Sequence, residues 1–161
     1  MADQPLLLKR LRDSDEFVRG FAEQGLWRLW SRSGDAEIDR LMAGGIERMQ
    51  ESRFKEALAA FSEIIRRKPA FAEGWNKRAT LYYLAGDFKR SLADCAEVMK
   101  RNPNHFGALS GYGQIYFQLG ELEKAIEYWR RALAVNPNMP GVQMNLEGAE
   151  EILKEKRGRS I

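Results

Sequence analysis

A chain of 161 residues that is 44 % apolar and 30 % charged has the size of one ordinary domain and enough apolar content for a continuous core, so disorder is not the default expectation. Its longest apolar runs, such as Leu6 to Leu8, are far too short to cross a bilayer, and its single cysteine, Cys95, excludes an internal disulfide and a thiolate zinc site. The net charge of +3 is spread along the chain, and its densest groups, Arg66-Arg67-Lys68 and Lys100-Arg101, fall where predicted helices end and cations offset the helix dipole, so a phosphate-binding stripe and nucleic-acid partners are not expected.

The first segment, residues 1–37, has no h-region of signal-peptide length and no small-residue cleavage site in Met1 to Leu11. With the lone cysteine this reads as a cytoplasmic chain, or one of an organelle stroma or matrix if a targeting peptide has been removed. Ser14 is a candidate N-cap, and Val18, Phe21, Ala22, Gly25 and Leu29 share one face of the helix it would open. Leu11 to Arg19, followed by Ala22 and Leu26, is similar to the second helix of a HEAT repeat and the turn leading into it. Trp27 and Trp30 are candidates for a docking surface.

From residue 38 the chain repeats itself. Pro69, Pro103 and Pro137 are 34 residues apart, and the same step aligns Phe54, Phe88 and Leu122; Ala57, Ser91 and Ala125; Leu58, Leu92 and Ile126; Phe61, Cys95 and Trp129; and Ile65, Met99 and Leu133. Within each copy these positions fall at i, i+4, i+7 and i+11, one buried stripe of a helix. A helix with its own stripe precedes each, as in Phe71, Trp75, Ala79 and Tyr82, and in Phe106, Leu109, Gly113 and Tyr116. Gly86-Asp87 and Gly120-Glu121 separate the two helices of a copy, and Asn102-Pro103-Asn104 and Asn136-Pro137-Asn138 separate the copies.

This pattern resembles the tetratricopeptide repeat (TPR), whose signature runs Trp-x2-Leu-Gly-x2-Tyr, Ala-x3-Phe, Pro. Residues 72–105 read Trp75, Arg78, Ala79, Tyr82, Ser91, Cys95, Pro103; residues 106–139 read Leu109, Tyr112, Gly113, Tyr116, Ala125, Trp129, Pro137; residues 38–71 read Leu41, Gly44, Gly45, Arg48, Ala57, Phe61, Pro69. The first copy departs most, with two glycines inside a helix and an arginine in place of an aromatic ring. Its first helix calls for support from a neighbour, and the N-terminal helix is expected to pack on its open side. The resemblance implies an all-α, right-handed α-solenoid of three TPR helix pairs, with N-terminal helices before it and a capping helix after it. Residues 140–161 supply that cap, with an apolar stripe of Val142, Leu146, Ala149 and Leu153 backed by charged positions. The basic tail Lys156-Arg157-Gly158-Arg159 is expected to fray.

No catalytic group, metal site or small-molecule cofactor site can be assembled from these residues. His105, the only histidine, sits in an inter-repeat turn and reads as a capping or surface residue; Cys95 sits on a core stripe and reads as a small buried hydrophobe. Gly111-x-Gly113 reads as close helix packing. What the resemblance adds is a concave surface lined by the first helices, at Met42, Ile46 and Met49, then Asn76, Thr80 and Tyr83, then Ser110, Gln114 and Phe117. Asparagine and glutamine there suit a peptide backbone, and methionine and aromatic rings offer adaptable apolar area. One TPR subclass grips a C-terminal carboxylate with lysine, arginine and asparagine; here Met42, Ile46, Gly107 and Gly111 stand at those positions, so that clamp is missing. The function expected is an adaptor for a protein or peptide partner, with an assembly subunit docking through its N-terminal helix as the alternative.

Overall fold

The computed structural model describes residues 3–158, which form nine helices and no strand. The chain separates into two compact units: Gly25–Pro103, and a second in which the chain up to Gln24 joins the chain from Asn104 onward. The fold is all-α, built from paired helices with a final unpaired helix as a cap.

In the unit of Gly25–Pro103, α3 (Ala36–Gln50) pairs with α4 (Phe54–Arg67), α4 packs on α5 (Ala72–Leu84), and α5 pairs with α6 (Phe88–Arg101). The predicted stripes face inward: Ile38, Met42, Ala57, Phe61, Ile64, Phe71 and Leu81 form one core, flanked by Leu41, Phe54 and Leu58. The glycines of the first copy have a packing cause in part. A Cβ on Gly45 would lie 2.6 Å from the Phe61 ring, so glycine here is what lets α3 and α4 approach.

The α3–α4 turn has no glycine, yet Ser52 adopts a left-handed φ of 60°, matching Gly86 at 75° and Gly120 at 76° one and two steps of 34 further on. All three turns make the same pair of bonds: Ser52 N to Met49 O and Arg53 N to Arg48 O, Gly86 N to Tyr83 O and Asp87 N to Tyr82 O, Gly120 N to Phe117 O and Glu121 N to Tyr116 O. The backbone pattern persists where the glycine signal does not.

In the other unit, α7 (Phe106–Gln118) pairs with α8 (Leu122–Val135), and α8 packs on α9 (Pro140–Gly158). Val142, Leu146 and Ala149 bury the inner stripe of α9, while Glu147, Glu151, Lys154 and Glu155 face water. The tail does not fray where expected: α9 continues through Lys156 and Arg157 to Gly158, with Arg157 reaching Glu123 at 3.5 Å. Arg159 lies outside the described residues.

The N-terminal segment forms α1 (Gln4–Arg10) and α2 (Glu16–Ser31), and it corrects the sequence reading three times. Asp15, not Ser14, caps α2, its Oδ1 accepting from Phe17 N at 2.8 Å. The buried face of α2 is Ala22, Leu26 and Trp30, whereas Phe21, placed on that face by the sequence reading, is 72 % exposed. Both faces of this helix carry large apolar residues, so periodicity alone could not choose between them. Packing on the first copy holds only for the end of the segment. Ser33 donates from its N and Oγ to Asp39, Asp35 caps α3, and Lys68 Nζ donates to Ser33 O. The start belongs with the end of α8 and the turn after it: Leu11 is fully buried, its carbonyl accepts from Asn138 Nδ2 at 2.7 Å, and Arg12 donates to Ala134 O.

Candidate functional site

The positions expected to line a concave surface have different fates. Met42 is a core residue, 5 % exposed, because it lies on the same side of α3 as Ile38 and is covered by α4 and α5; it is not available to a ligand. Ile46 and Met49 are half-buried and pack on that core. On α5, Thr80 is exposed and donates to Asn76 O at 3.0 Å, Tyr83 is half-buried against Phe88, and Asn76 Nδ2 donates to the Glu73 carboxylate at 3.2 Å. Glu73 is buried and also held by Lys77 at 3.1 Å. Asn76 therefore serves the fold as well as any ligand, and an Asn76→Ala change disturbs a buried carboxylate. Trp27 is half-buried and meets Trp30 edge-on at 5.7 Å, but Trp30 is 7 % exposed and cannot form the surface expected of it.

On α7, Ser110, Gln114 and Phe117 are all half-buried, and Gln114 and Phe117 open onto a recess of about 160 Å3. Its floor is Trp129, whose ring lies 5.7 Å from that of Phe117. Its far wall comes from α9: Met144, Asn145, Gly148, Ala149 and Ile152. The sequence reading missed the α9 contribution although the signal was present. One further step of 34 carries Ser110 to Met144 and Gln114 to Gly148, so the inner face continues onto the capping helix.

Gly148, like Gly20, Gly111 and Gly141, has no packing cause, but it is the one of these that lines the recess. A Cβ on Gly113 would lie 2.4 Å from the Trp129 indole and one on Gly74 2.9 Å from Ile64, whereas one on Gly148 meets nothing within 4 Å. Gly111 is equally open, so of the Gly111-x-Gly113 pair only Gly113 is explained by close packing. An interior helix glycine costs about 1 kcal/mol relative to alanine. At Gly113 that cost is offset by the Trp129 contact; at Gly148 nothing inside the fold offsets it.

The two groups once considered for chemistry are structural. His105 is fully buried and caps α7, its Nδ1 accepting from Ala108 N at 3.1 Å. Cys95 is buried, and that burial, with Asp94 adjacent, pushes its thiol up to about 12, so little nucleophilic thiolate forms near neutrality. Among the described residues no three His, Cys, Asp or Glu side chains group to hold a metal, and no helix is long and apolar enough to cross a membrane. The basic groups are engaged too. Arg66 pairs with Glu63 and Arg67 with Glu37, each at 2.6 Å, while Lys100 and Arg101 share Glu97 at 2.5 and 2.6 Å. Hydrogen bonds from Lys100 and then Arg101 hold the Glu97 carboxyl below its ordinary range.

Comparison with known proteins decides the family. Models of the tetratricopeptide repeat match residues 42–98 and 108–139. The chain belongs to the tetratricopeptide repeat family. A TPR repeat-containing protein of Rhizobium etli is 40 % identical over 80 residues, which is 50 % of this chain and 38 % of that protein, so the chain spans well under half of that curated relative. Among solved structures, the first TPR of Spaghetti (RPAP3) bound to the HSP90 peptide SRMEEVD matches with a TM-score of 0.70 at 22 % identity, over 74 % of this chain and 96 % of that one. The Sgt2 TPR domain of Aspergillus fumigatus matches at 0.72 and 19 %, over 76 % and 83 %, and the yeast Sti1 TPR2B domain in its pHsp70 complex at 0.67 and 22 %, over 73 % and 98 %. At these identities the structures speak for the fold alone.

Proposed function

We propose that this TPR chain is a non-catalytic adaptor that binds a peptide or protein partner through the inner-face positions of its first helices. The observation that carries this reading is the open apolar recess between α7 and α9, floored by Trp129 and edged by Gln114 and Asn145. It leaves apolar area uncovered beside amide groups able to bond a peptide backbone. Met42 drops out of the proposed contacts. Those that stand are Ile46, Met49, Asn76, Thr80 and Tyr83 in one unit and Ser110, Gln114 and Phe117 in the other. Two relatives by fold carry HSP90 or HSP70 peptides in their structures, which supports peptide binding as a use of this fold. The lone buried cysteine suits work in a reducing compartment such as the cytoplasm.

The test is selection of peptides from a displayed random library, with affinities measured on Gln114→Ala plus Phe117→Ala. Removing a partner amide that is buried in the complex costs about 1–3 kcal/mol, roughly 5- to 150-fold in affinity. A double variant that folds and binds as tightly as the parent overturns the reading. A second reading, docking of the N-terminal helix into a larger assembly, is favoured by Phe17 and Phe21, each 72 % exposed on α2. Loss of a partner on Phe17→Ser plus Phe21→Ser, with the α7 variant unaffected, would establish it instead.

A further inference from the structure

Resting on the peptide-binding reading, we infer that the α7–α9 recess is a specificity pocket for one leucine- to phenyl-sized side chain within an internal, neutral or basic stretch of the partner, and that Gly148 keeps it open. Size comes first. An apolar cavity of roughly 150 Å3 holds a benzene ring, and this recess measures about 160 Å3. Its walls are the rings of Phe117 and Trp129 and the aliphatic side chains of Met144 and Ile152, with Met144 72 % exposed at the rim. One bulky apolar group fits; a chain of them does not.

Charge decides what flanks that side chain. None of the lining residues is charged, and α7 has no charged residue from Phe106 to Gln118. The charges nearest in sequence to Gly148 on α9 are Glu147, which faces water, and Glu150, which Arg130 holds at 2.6 Å; Glu151, one residue further on, also faces water. A carboxylate-terminated, acidic tail such as SRMEEVD, the peptide carried by one relative by fold, would bring anions beside glutamates with no cation in the lining to receive them. Neutral or basic flanks are the complement.

Of the helical glycines that packing does not explain, Gly148 is the one that lines the recess. It lies mid-helix, weakens α9, and has open space where its Cβ would be. Any larger side chain there points toward the recess shared with Gln114 and Phe117. Glycine at such a position permits close approach of a ligand.

The test uses the full chain and a random dodecapeptide library, with selected peptides remade in C-terminally amidated and free-acid forms. The expected peptides carry a single Leu, Met, Phe or Trp without neighbouring Asp or Glu, and bind equally in both forms. Gly148→Leu should fill the recess from within, lowering affinity at least tenfold while the melting temperature holds or rises. Met144→Glu, at an exposed rim position, should weaken the same peptides without unfolding the protein. If selected peptides are acidic, require the free carboxylate, or bind Gly148→Leu normally, the pocket assignment is wrong while peptide binding stands. If the library yields no binder, both readings fall together.

Discussion

The pairs α5/α6 and α7/α8 share one register and one backbone turn, yet they meet through opposite chemistries. Where α7 offers Gly113 to the large Trp129, α5 offers Ala79 to the small Cys95, positions 34 residues apart in each case. Beside that wedge, Tyr112 stacks on Tyr128 with ring centroids 4.4 Å apart, while the matching residues Arg78 and Asp94 form a two-pronged ion pair at 2.7 and 2.9 Å. Arg78 also donates to Ser62 Oγ and lies 5.2 Å from the centre of the Trp75 ring. The repeat thus does not fix a residue type at the wedge; a large ring on the second helix demands glycine on the first, whereas a small residue there admits alanine. Beside the wedge it accepts any pair that satisfies its own atoms.

The largest expected effect comes from breaking the ion pair. Asp94→Ala leaves Arg78, whose side chain is only 18 % exposed, without its partner, at a cost of about 3 kcal/mol, the lower end for a buried pair because the guanidinium can turn toward water. Tyr128→Ala on α8 removes a half-exposed stack and should cost about 1–2 kcal/mol. Urea denaturation of both variants measures the contrast, and equal losses would show that the two chemistries are not different in kind.

Next is the wedge. Gly113→Ala forces a methyl into the Trp129 ring and should cost about 1–3 kcal/mol. In a Trp129→Cys background, which recreates the Ala79–Cys95 combination, the added cost of Gly113→Ala should vanish. A double-mutant cycle without coupling would sink the volume argument.

The smallest effect is a gain. Ser52 holds a left-handed conformation that costs a residue with a Cβ about 1 kcal/mol, so Ser52→Gly should raise stability by that amount and Gly86→Ser should lower it similarly. Thermal unfolding that leaves Ser52→Gly unchanged would mean the turn is set by its neighbours alone.

Most of the repeat was legible because its determinants are local. Ala57, Ser91 and Ala125, like Phe61, Cys95 and Trp129, are buried as their period requires, since a helix with a continuous apolar stripe has only one face it can hide. Even the buried Ser91 obeys this pattern, because its hydroxyl donates to Ala79 O at 2.7 Å and leaves no polar atom unmet. The turn at Ser52 was not legible, because a serine gives no sign of positive φ. Part of the candidate site was readable in the same way: Gln114 and Phe117 followed from register, and Met144 and Gly148 would have followed from one more step.

The sequence by itself determined the helix pairs, the capping role of α9 and the core place of Cys95, since each depends on residues within a few turns of one another or on a fixed period; it left His105 between cap and surface, and the structure buries it as the α7 cap. Only the tertiary structure decided that Met42 belongs to the core, that α2 turns Leu26 and Trp30 inward and leaves Phe21 outside, and that Leu11 bonds to Asn138 across 127 positions of sequence. Periodicity names a face but not what covers it. Where two faces of a helix are both apolar, the choice is made by a surface whose residues lie elsewhere in the chain, and no local pattern records it.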